Sequence, residues 1–132
     1  MEAFNQIDNW GAAKTAAGVA TINGLERTHG DAFSKFELAS VTKAIFSIAV
    51  LVAIEEGSLD INAPGGPEGS TIGNLLSHSS GLSMRAGDSG QESVVTKPGV
   101  KRIYSNQGFD VLANELQRAT GIDAATYFDE AV

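Results

Sequence analysis

The tetrad Ser40-Val41-Thr42-Lys43 sets a hydroxyl and a primary amine three residues apart. On a helix, positions i and i+3 share a face, so the two groups come within hydrogen-bonding reach. At a helix N-terminus the oriented backbone N–H groups also favour negative charge on the serine oxygen. An amine turned into apolar surroundings is disfavoured as a cation and can accept a proton. The pair therefore describes a serine nucleophile that works without histidine. The same two residues also read as a capping serine and a lysine snorkelling to water, the commoner origin of an isolated S-x-x-K match.

Other chemistries find less support. The chain has no cysteine, which excludes thiol catalysis, disulfides and cysteine-ligated zinc. Its two histidines, His29 and His78, read as residues that each satisfy a hydrogen bond, and they do not make a metal site. Gly87-Asp88-Ser89-Gly90 has the letters of a trypsin-like nucleophile loop, but a two-barrel protease needs more chain and more strands, so a surface turn is the better account. No lysine follows Gly65, Gly66 and Gly69 as a phosphate-binding loop requires, and no G-x-S-x-G elbow occurs. Neither a nucleotide nor a metal cofactor is implied. A formal charge of −7 without any basic block argues against nucleic acid and anionic membranes as partners.

The elements that must position Ser40 and Lys43 follow from patterning. From Ala44 to Ile54 the only polar residue is Ser47, and these eleven residues are too few to span a bilayer, which takes roughly 17 to 25. The spacing predicts a core helix from about Ser40 to Glu56, ended by Gly57, that needs apolar cover on every side. Upstream, Ala16 to Ile22 and Leu25 to His29 flank Asn23-Gly24, a hairpin signal. Downstream, Asn62 to Thr71 is a Gly/Pro-rich connector, Thr71 can cap a short helix, and Ser79 to Ser93 reads as a long irregular loop. After a turn at Lys97-Pro98-Gly99, the residues Phe109, Leu112, Ala113 and Leu116 mark an amphipathic helix from about Asn106 to Thr120. Asp123 can cap a last helix, inside which the chain stops. A length of 132 residues suits one domain, without internal repeats.

Three segments in order, residues 36–64, Thr71 to Leu82 and Lys97 to Gly121, closely resemble the serine β-lactamase and penicillin-binding protein family. The nearest branch holds class C β-lactamases, D-alanyl-D-alanine carboxypeptidases and β-lactamase-fold esterases. The likeness runs from about Ala16 to the last residue. It is specific because Ser40-Val41-Thr42-Lys43 is joined sixty-four residues on by Tyr104-Ser105-Asn106, with Leu75-Leu76-Ser77-His78-Ser79-Ser80-Gly81-Leu82 between them.

The resemblance implies an α/β (α+β) fold, β-lactamase/DD-peptidase-like and incomplete. Residues 1–132 would form a single partial domain, with a β-hairpin at about 16–30 and a helical region at about 37–132. It implies Ser40 as acylated nucleophile, Lys43 as proton-transfer partner and Tyr104 as general base or acid, its phenol acidified by the lysine charge. Asn106 would orient Lys43 and the amide or ester of the substrate. Alone, Tyr104 also reads as a packed ring beside a Ser105/Asn106 helix cap. The implied reaction is acyl transfer on a β-lactam, a D-alanyl peptide or a small ester. His78 is typical of the family's loop and reads as structural.

One departure matters. The family's third motif, Lys or His, then Thr or Ser, then Gly, lies on an edge strand that supplies half the oxyanion hole, and no such triplet follows Tyr104. Lys14-Thr15-Ala16 precedes the nucleophile, and His78-Ser79-Ser80 lacks the glycine. The expectation is therefore the N-terminal portion of a longer hydrolase, or a hydrolase completed by a second chain; the alternative is a non-catalytic remnant. The opening residues lack the basic and apolar regions of a signal peptide, which leaves two compartments open: the cytoplasm, or an exported site after signal removal.

Overall fold

The computed structural model describes residues 2–85 and 93–132. The Gly87–Gly90 tetrad and the middle of the Ser79–Ser93 loop lie outside the described residues. The chain divides into two compact units, one ending at Leu38 and one running from Ala39.

In the first unit, α1 (Glu2–Asn5) runs into a 3₁₀ turn (Gln6–Asn9), followed by strands β1 (Ala16–Thr21) and β2 (Gly24–Gly30). The strands pair antiparallel, with Ala16 opposite Gly30 and Thr21 opposite Gly24. The connecting pair is thus Ile22 and Asn23, one residue earlier than the expected Asn23-Gly24 turn. Thr21 accounts for the shift, because its Oγ1 accepts from Asn23 N–H at 3.2 Å and donates to Glu26 Oε1 at 2.8 Å. Gly24, at φ +113°, then opens β2 in a conformation that suits glycine. The pairing shifts between Val19 and Ala20, where Glu26 is the extra residue of a bulge. Little is buried here beyond Ile7, since a two-stranded sheet has no interior of its own. His29 ties the hairpin to the 3₁₀ turn, with Nε2 at 3.0 Å from both Asp8 carboxylate oxygens and the Phe4 ring stacked on its own.

The second unit holds α2 (Val41–Glu55), α3 (Ile72–Leu76), α4 (Asn106–Thr120) and α5 (Ala124–Ala131). Three of these four helices start on a side-chain cap. Thr71 and Asn74 form a reciprocal capping box at α3, Ser105 Oγ accepts from Gly108 N–H at α4, and Asp123 Oδ1 accepts from Ala125 and Thr126 N–H at α5. α4 ends on Gly121 at φ +73°, whose N–H returns to Gln117 O. The helices share one core of Ala49, Val50 and Ala53 from α2, Ile72 and Leu75 from α3, Leu112 and Leu116 from α4, with Leu82 from the loop. Burial of such side chains contributes about 1.5–3 kcal/mol for each large one, the main force holding the four helices together.

α2 departs from expectation in one respect. Its small residues Ala49 and Ala53 face the core, while Val41, Ile48 and Leu51 are 50–58% exposed, so the helix is not covered on every side. Among the described residues α4 and α5 are the elements that α2 packs on most. No helix among the described residues is long and apolar enough to cross a membrane.

Candidate active site

The head of α2 meets the entrance of α4. Ala39 stands at φ +45°, a left-handed conformation that is strained for alanine, and it turns the chain sharply into the helix. Ser40 follows as the N-cap residue, but its hydroxyl caps nothing. The capping reading of Ser40 is thereby excluded. Instead Tyr104 Oη–H donates to Ser40 Oγ at 2.5 Å, across sixty-four residues of chain.

Lys43 lies one turn along α2, its N–H on Ser40 O at 3.2 Å. The ammonium does not run out to solvent as a snorkelling lysine would. It sits 5.3 Å from the Tyr104 ring centroid and 5.8 Å from that of Phe109, framed by two aromatic faces. The Tyr104 phenol is held below its ordinary value, first by the hydrogen bond with Ser40 and then by hydrogen bonding to Lys43 and the charges of Lys43 and Arg102. Partial desolvation works the other way and loses. Once ionised, the phenolate would accept from Ser40, reversing the direction of that bond.

The Tyr104 backbone is fixed from several sides. Ser105, 1% exposed, donates its hydroxyl to Ser83 O at 2.6 Å, and Asn106 N–H donates to Met84 O at 2.9 Å. Behind Tyr104 lies the ring of His78, 4.7 Å away between centroids. A cavity of about 260 Å³ opens here, lined by Ser40, Lys43, Ser47, His78, Tyr104 and Phe109. A second of about 330 Å³ adjoins it along Thr42, Phe46, Asp110 and Ala113, sharing Lys43 and Phe109.

Of the four residues singled out from the sequence, Ser40, Lys43 and Tyr104 are gathered at one point. Asn106 begins α4 two residues from Tyr104, and no hydrogen bond links its side chain to the other three among the described residues. Phe109 and Ala39 were missed. Phe109 was legible only as a core position of an amphipathic helix, and no sequence signal marks a left-handed alanine. Among the described residues no three His, Asp or Glu side chains gather as a metal ion would require.

A β-lactamase family model matches residues 8–132. The chain belongs to the β-lactamase family. A crystal structure of a β-lactamase from Mycobacterium bovis is similar to this family member, at 43% identity and a TM-score of 0.86 over 98% of the chain. The chain spans 46% of that neighbour, less than half its length. None of the curated proteins matches it. The mixed α/β architecture, among the described residues a two-stranded antiparallel sheet and five α-helices, is thus that of part of a β-lactamase fold.

Proposed function

We propose that the chain carries the nucleophile of a serine hydrolase that works through an acyl-enzyme on β-lactams, D-alanyl peptides or small esters. The observation that supports this reading is the 2.5 Å approach of Tyr104 Oη to Ser40 Oγ with the Lys43 ammonium over the same ring. Tyr104, as phenolate beside Lys43, takes the Ser40 proton while Oγ bonds to the substrate carbonyl carbon. The tetrahedral oxyanion faces the N–H groups at the head of α2, favoured by the helix dipole. Collapse breaks the C–N bond of a lactam or peptide, or the C–O bond of an ester, and Tyr104 returns the proton to the leaving atom. Water, deprotonated by the same phenolate, then frees Ser40.

A second reading draws on the half-exposed Val41, Ile48 and Leu51 stripe and on the 46% coverage of the structural neighbour. In it the same residues act only after a further segment or a second chain covers α2 and supplies the second oxyanion donor. Incubation with a chromogenic cephalosporin and with an acyl nitrophenyl ester, followed by mass spectrometry of the Ser40 peptide, separates the cases. Rapid cephalosporin turnover identifies a β-lactamase, a lasting Ser40 adduct a penicillin-binding protein, and ester turnover alone an esterase. Neither adduct nor turnover sinks the first reading and leaves the second.

A further inference from the structure

His78 occupies a position whose backbone disfavours it. It follows the C-cap residue of α3 at φ +58°, with its N–H on Leu75 O at 3.1 Å. Glycine takes this left-handed place after a helix without strain, whereas histidine is held there against its preference. What histidine brings is reach. Its backbone carbonyl accepts from Ile103 N–H at 2.8 Å, and its ring Nδ1 accepts from Ser105 N–H at 3.0 Å. The amides on both sides of Tyr104 are therefore tied to one residue. The imidazole also packs on the Tyr104 ring at 4.7 Å and the Phe109 ring at 5.1 Å, at 8% exposure and on the wall of the Ser40 cavity.

We propose that His78 is the positioning residue for Tyr104, holding the phenol on Ser40 only while its imidazole is neutral. The inference rests on the serine hydrolase reading above and adds the control of its proton carrier. An Nδ1 that accepts a backbone N–H carries no proton, so the neutral ring bears its proton on Nε2. Protonation at Nδ1 would set two donors against each other and release Ser105. The titratable and charged groups facing the ring are Lys43 from α2, with Arg102 and Tyr104 from the segment entering α4; α4 itself presents Phe109. Burial, then the charges of Arg102 and Lys43, hold His78 below its ordinary value of 6.5, so the neutral, holding state prevails at neutral pH.

Two variants and two readouts test this. In His78→Asn, the amide oxygen stands where Nδ1 stood, tolerates the left-handed backbone and cannot protonate in this range. His78→Gly relieves the backbone and keeps the carbonyl tie but loses ring and acceptor. With circular dichroism and thermal melting establishing that each is folded, Ser40 acylation by a β-lactam or nitrophenyl ester is followed from pH 5 to 8, roughly. The expected result is that His78→Gly slows acylation by about 10- to 100-fold. His78→Asn should stay within about threefold of wild type at neutral pH. Loss of the Tyr104 phenolate slows both proteins as pH falls, but His78→Asn should lack the further decline that protonation of His78 adds below 6.5. The second readout is tyrosinate absorbance, which needs no turnover: in His78→Gly the Tyr104 titration should move up toward 10.0, and in His78→Asn it should stay below. A His78→Gly protein with wild-type Tyr104 titration overturns the inference, as does a His78→Asn profile that falls as steeply as wild type below 6.5. If wild type forms no Ser40 adduct, the hydrolase reading fails, and the tyrosinate measurement still decides whether His78 places Tyr104.

Discussion

The two ends of α2 are each held by a tyrosine, and the two phenols are driven in opposite directions. At the head, Tyr104 Oη meets a serine hydroxyl with Lys43 beside it, and its proton is loosened. At the tail, Tyr127 Oη donates to Glu56 Oε2 at 2.7 Å, and burial, the hydrogen bond and the carboxylate charge push it up to about 12. The two phenols part first because Tyr104 is hydrogen-bonded to Ser40 whereas Tyr127 is desolvated by burial, and the charges of Lys43 and Glu56 then add to each shift. A cation beside the ring favours phenolate; a carboxylate accepting from it disfavours phenolate. On the hydrolase reading proposed above, the head of α2 carries the chemistry and its tail a contact that contributes stability.

The largest effect that could break this contrast comes from the head. Ser40→Ala removes the only atom proposed to bond substrate, so the Ser40-peptide adduct should vanish. Tyr104→Phe should lower acylation by about 10²- to 10⁴-fold, the usual worth of a positioned acid–base group. Equal adduct formation by Tyr104→Phe and wild type would place the proton transfer elsewhere. Tyr127→Phe, by contrast, should leave acylation where it was.

Lys43→Met sharpens the contrast without needing turnover. The chain's two tyrosines should titrate in separate steps followed by tyrosinate absorbance, Tyr104 below its ordinary 10.0 and Tyr127 near about 12. Removing the ammonium should raise the first step, because its hydrogen bond and charge go, and leave the second unmoved. A single merged transition in wild type would show that the two phenols do not differ.

Much of this arrangement was legible in the sequence, for identifiable reasons. Ser40 and Lys43 could be paired because helical periodicity is local, and Thr71, Ser105 and Asp123 announced their helices because capping is a bond between near neighbours. The hairpin was found but its turn was misplaced by a residue, since Asn23-Gly24 is a strong signal that Thr21's side-chain bonds outweighed. The closure of Tyr104 on Ser40 spans most of the unit and came from family likeness rather than from spacing. What stayed hidden depends on backbone geometry: the left-handed Ala39 and His78, and the double tie of His78 around Tyr104, have no counterpart in composition or period. The apolar run of α2 was read correctly as helix and too generously as buried, because hydrophobicity states what a face can pack against and not whether the described residues supply it.

The smallest effect lies at the tail. Tyr127→Phe removes one hydrogen bond but leaves the ring in the core, and the orphaned Glu56 is exposed enough to turn to water. The cost should be about 0.5–1 kcal/mol, below the typical penalty for stranding a buried partner. Its pH dependence carries a definite sign. Tyr127 binds its proton more tightly folded than unfolded, so between the unfolded value near 10.0 and the folded value of about 12 the unfolded chain holds fewer protons. The stabilisation is therefore whole below 10.0 and is lost as pH rises toward about 12. Urea melts of wild type and Tyr127→Phe at neutral pH and at the alkaline end of this window should converge as pH rises. A gap that widened instead would mean that the folded chain holds the Tyr127 proton less tightly than the unfolded one, and the two ends of α2 would then no longer be opposites.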